Sequence, residues 1–79
     1  MTKINVTYED GATINPVAIY SALVKAGAPP IEVVPKNDSV AVCAYNNFAR
    51  IEHPGRIANR VKRSILEVKS VEVVFGSSD

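Results

Sequence analysis

Few side chains in this sequence are of the types that catalysis or ligand capture requires, and their spacing limits what they can do. Cys43 is the only cysteine and His53 the only histidine, which excludes an intrachain disulfide and any multi-cysteine zinc or cluster site built from this chain alone. Cys43 lies in an apolar run beside Ala41 and Ala44, where a thiol behaves as a small hydrophobe and no neighbour in sequence supplies an activating base. His53 directly precedes Pro54, the place of a cap or loop residue more than of a base or ligand. With no nucleophile, base and orienting group in view, the chain reads as a non-enzyme that uses no cofactor and no metal.

Two other groupings have surface chemistry. Arg56, Arg60 and Arg63 fall within an arc of roughly 60° at helical spacing, with Lys62 and Lys69 on its flanks. Guanidinium forks in one row suit phosphates or an acidic protein surface. The competing reading is a solvated face on which Glu67 pairs with Arg63 one turn away. The second grouping is apolar: between Pro16 and Ala26, once Ile19, Ala22, Leu23 and Ala26 are assigned to a core stripe, Val17, Tyr20 and Val24 remain on an adjoining arc. One sheet face cannot easily cover both. A leftover apolar patch with a tyrosine suits a protein contact, unless these three pack on the second helix or on the segment from Phe48 to Ile51.

These side chains must be positioned by a small scaffold. The 79 residues make one domain over residues 1–76 with a flexible polar tail at 77–79, and a chain this short removes only roughly 60–65% of its unfolded surface from water. A composition of 47% hydrophobic and 22% charged residues places it with folded domains rather than disordered ones. The formal net charge of +1 provides no global field, so a nucleic acid or anionic lipid would need a local patch. The amino terminus lacks the charged start and apolar core of a signal peptide, and no run has the roughly 18 apolar residues of a membrane span. The expectation is a soluble cytoplasmic protein with no membrane partner.

Strand and helix periods alternate along the chain. Lys3 to Tyr8 places Ile4, Val6 and Tyr8 on one side, as a half-buried strand does. Asn15 and Pro16 start a helix that Gly27 stops. Pro29 and Pro30 turn the chain into Ile31–Val34, which with Val40–Tyr45 predicts a hairpin around Pro35–Asp38. Residues 46–52 read as loop. His53-Pro54-Gly55 opens a second helix with Ile57, Ala58, Val61, Ile65 and Val68 on one face, and Ser70–Phe75 is the last strand, with Val71, Val73 and Phe75 on one side.

The order β-α-β-β-α-β with right-handed crossovers resembles the ferredoxin-like sandwich: an α+β fold whose four-stranded antiparallel sheet, order 4-1-3-2, carries both helices on one face. That architecture hosts many functions. Its small acylphosphatase-type enzymes need a glycine-rich phosphate loop where Glu9-Asp10-Gly11-Ala12 stands here, and its heavy-metal carriers need a Cys-x-x-Cys that is absent. If Ile4, Val6, Val40 and Val42 face the helices, the open sheet face shows Ala41, Cys43 and Tyr45 between Glu32 and Glu72. A single aromatic between acids is poor ground for stacking RNA bases, and the small apolar residues suit pairing between subunits.

The expectation is therefore a protein-binding module: a small regulator or inhibitor, of the kind phages and viruses direct at host complexes, docking through Val17, Tyr20 and Val24 and self-associating as a homodimer. The alternative is nucleic-acid binding through Arg56, Arg60, Arg63, Lys62 and Lys69. Phe48, Arg50 and Glu52 are a third candidate set, as a recognition loop.

Overall fold

The computed structural model describes residues 2–46 and 51–75. Its elements are β1 (Thr2–Tyr8), α1 (Pro16–Lys25), β2 (Glu32–Pro35), β3 (Val40–Ala44), α2 (Pro54–Ser64) and β4 (Val68–Phe75). The strands form one antiparallel sheet in the order β2-β3-β1-β4. This is the ferredoxin-like α+β arrangement that the order of elements implies. The tail at 77–79, and Phe48 and Arg50 of the loop, lie outside the described residues.

Local chemistry explains where the elements begin and end. Asn15 caps α1, its Oδ1 accepting from the Ala18 N–H at 3.2 Å, and Pro16 fills the first helical position without wasting a donor. Gly27 follows at φ 84°, a left-handed conformation that a side chain would resist. Between β2 and β3, Asn37 Oδ1 accepts from the N–H groups of Ser39 and Val40 at 2.8 and 2.9 Å, closing the turn.

One core cluster joins sheet and helices: Ile4, Val6 and Tyr8 from β1, Ile19 and Leu23 from α1, Ile57 and Val61 from α2. Two expectations about its lining are corrected. In β3 it is Ala41 and Cys43, with Tyr45 just beyond, that are buried, while Val40 and Val42 are only half-buried. Both alternating sets of β3 are apolar, so alternation alone could not choose between them. Pairing with β1 chooses: Ile4 lies opposite Cys43 and Val6 opposite Ala41, and directly opposed residues share a face.

The second correction concerns the end of α2. The helix stops at Ser64, and Ile65 is already extended. Ile65 and Val68 are buried as expected, but from the turn and from β4 rather than from a helix face. The strand begins at Val68, and its pairing slips where Thr7 faces Ser70 but Tyr8 faces Val68, which makes Lys69 the extra residue of a bulge.

Candidate functional site

On α1 the buried stripe is Ile19, Ala22 and Leu23, and the helix rests against both β2 and α2. A small hollow between the helices is lined by Ala18, Ser21, Ala22 and Lys25 together with Ser64 and Ile65. That flank of α1 therefore faces α2. At 100° per residue, Tyr20 and Val24 lie on the opposite flank, toward the β2 edge, with Val17 on the outer face. The exposures are 77% for Val17, 46% for Tyr20 and 44% for Val24. These three side chains are not absorbed by the second helix or by the core, and they make one continuous arc.

Sequence reasoning missed other exposed apolar side chains. Ile31 is exposed just before β2, Leu66 is 91% exposed in the turn before β4, and Phe75 is exposed at the end of β4; Val34, exposed within β2, lies on the open face where strand alternation puts it. Leu66 lies at helical spacing from Lys62, Arg63 and Lys69, a polar setting that marks it as surface, whereas Phe75 follows Val71 and Val73 at strand spacing with nothing polar to mark it. Only the fold shows Phe75 exposed.

The arginine row is found on α2 as expected. Arg56, Arg60 and Arg63, with Asn59, line a shallow hollow of about 570 Å³. The helix carries Lys62 as well and no acid. Lys69 does not join this face, because it sits in the β4 bulge. Nor does Glu67 lie one helical turn from Arg63, since the helix has ended before it.

The open face of the sheet differs from its expected composition. Reading across the register, one row is Glu32, Ala44, Lys3 and Val74, and the next is Val34, Val42, Asn5 and Glu72. Tyr45 is on the covered side, its hydroxyl donating to the Ala28 carbonyl at 2.6 Å. Among the described residues no aromatic side chain is left on the open face, and base stacking there has no platform.

The groups that could act as nucleophile or acid are buried or isolated. Burial pushes the Cys43 thiol up to about 12, so it is a thiol and not a thiolate at neutral pH. Tyr45 is raised by burial and by the neighbouring Cys43. Tyr8 is raised by burial, against the Asn15 N–H that donates to its hydroxyl, with Glu67 and Cys43 adding to the rise. His53 takes φ 55° at the start of α2 and makes no side-chain cap bond. Among the described residues no group of three His, Cys, Asp or Glu comes together to hold a metal, and no helix is long and apolar enough to cross a membrane.

Comparison with known proteins finds no matching family model, no matching curated protein and no matching solved structure.

Proposed function

We propose that this chain is a non-enzymatic protein-binding module, a small cytoplasmic regulator or inhibitor that docks a protein partner through Val17, Tyr20 and Val24 and also self-associates. The observation that supports it is the outer arc of α1, where three large apolar side chains stay exposed although the opposite stripe of the same helix is fully buried. A tyrosine between two valines offers apolar area and a hydroxyl at low entropic cost, the profile of an interface anchor.

The test is a double substitution, Tyr20→Glu with Val24→Lys. Both positions are exposed, so the far-UV spectrum and thermal midpoint should stay at wild-type values. Affinity for the partner should fall at least about thirtyfold, the effect of removing one anchor worth roughly 2 kcal/mol. An apolar contact should also be nearly indifferent to salt. Unchanged affinity in the folded double variant would refute the reading.

A second reading has one observation in its favour: Arg56, Arg60 and Arg63 converge on one hollow of a helix that has no acid to neutralise them. Nucleic acid held there would bind with an affinity falling steeply in salt, with a slope of about −0.9 for each phosphate neutralised. Arg60→Glu with Arg63→Glu should abolish that binding and leave an α1-docked partner in place.

A further inference from the structure

Among the described residues β4 is an edge strand of eight residues, paired with β1 on one side only. Hydrogen bonds at the ends of β1 show which of its groups are free. The Tyr45 N–H donates to the Thr2 carbonyl and the Tyr8 N–H to the Ser39 carbonyl, so the even-numbered residues of β1 turn their peptide groups toward β3. The Glu9 N–H donates to the Glu67 carbonyl, on the β4 side. Main-chain groups alternate sides along a strand, and Lys3, Asn5 and Thr7 therefore bond to the residues opposite them, Val74, Glu72 and Ser70. It follows that Val71, Val73 and Phe75 point their N–H and C=O groups away from the sheet. Their side chains lie on the helix-bearing face, where Val71 and Val73 are half-buried and Phe75 is 58% exposed.

We propose that two copies of this chain pair through these β4 edges, antiparallel about a two-fold axis at Val73, joining two sheets into one of twice the width. The other edge is blunted against such pairing, since β2 has four residues, ends in Pro35 and follows Pro29 and Pro30. β4 has no proline, and every residue with outward main-chain groups in its regular part is apolar.

Charge, register and the length of β4 select the axis: pairing about Val74 would set Val71 opposite residue 77, outside the strand. Pairing about Glu72 would set two carboxylates against each other at the close, non-hydrogen-bonded spacing. Pairing about Val71 would run Val73 into the Lys69 bulge and leave Phe75 without a partner. With the axis at Val73, Val73 meets its own copy, Val71 meets Phe75, and Glu72 meets Val74 rather than a like charge. All the outward groups of Val71, Val73 and Phe75 then find partners, and each Phe75 ring covers a half-buried Val71 across the seam. A single strand thus supplies both halves of a matched seam, which is why the occupant is a second copy. The inference rests on the self-association in the proposed function and uses none of the α1 arc, which lies toward the β2 end of the sheet.

Sedimentation equilibrium of the full chain over a concentration series tests it, and the expected limiting mass is twice the 8.5 kDa of one chain. Val73→Pro removes an outward N–H without touching the β1 ladder, and should yield a monomer with the wild-type far-UV spectrum. Val73→Cys should form a disulfide-linked dimer under mild oxidation, because the two thiols meet at the axis, while Glu72→Cys should not; Cys43 is buried and does not compete. A monomeric wild type, an undiminished Val73→Pro dimer, or cross-linking through Glu72→Cys in preference to Val73→Cys would each overturn the proposal. Tyr20→Glu with Val24→Lys should still dimerise, so loss of partner docking and loss of the β4 seam are read separately.

Discussion

Tyr45 shows how much a single side chain depends on where its strand turns it. Its ring fills the core and its hydroxyl satisfies the Ala28 carbonyl just past the end of α1. Tyr45→Phe leaves that buried carbonyl without its donor, and urea denaturation should show a loss of about 1–2 kcal/mol. Cys43, beside it in β3, has the character its apolar neighbours suggest, a small buried hydrophobe. The apolar excess of Val17, Tyr20 and Val24 was also legible, because helical spacing separates them from the core stripe. The side of the sheet taken by Tyr45 was not, because both alternating sets of its strand are apolar.

At the scale of elements, the two helices start differently. α1 has a side-chain cap in Asn15, and Asn15→Ala should lower stability by about 1 kcal/mol. α2 begins from His53 in a left-handed conformation with no cap bond, where an L side chain is strained by roughly 1–2 kcal/mol. His53→Gly should therefore stabilise the chain, by up to about 1 kcal/mol after glycine's greater unfolded freedom is counted. Thermal melts of the two variants should move in opposite directions. Cap and stop residues made the bounds of α1 readable to within a residue. The end of α2 was misread because Ile65 and Val68 continue the helical spacing while reaching the same core from a turn and a strand. Periodicity records that a side chain is buried, not which element carries it there.

For the whole molecule, three buried acids set an alkaline limit. The thiol of Cys43 and the hydroxyls of Tyr45 and Tyr8 all hold their protons more tightly in the folded chain than in the unfolded one. The unfolded chain releases those protons first, so it binds fewer of them and stability falls as pH rises. The contribution is complete below the ordinary thiol value of 9.0. Above it, the loss should approach about 1.4 kcal/mol per pH unit for each group that titrates in the unfolded chain alone. Urea midpoints measured from neutral pH upward should decline from about pH 9, and Cys43→Ala should delay that onset toward the tyrosine range near 10.0.

The order of strands and helices, the one-sided burial of β1 and the apolar surplus of α1 were all determined by the sequence alone, since each rests on local spacing or on a residue with one favoured backbone role. The face that β3 turns to the helices, the bulge at Lys69 and the exposure of Phe75 were decided only in the tertiary structure. Those features depend on which strand lies next to which and in what register, and pairing between distant segments leaves no periodic trace in either of them.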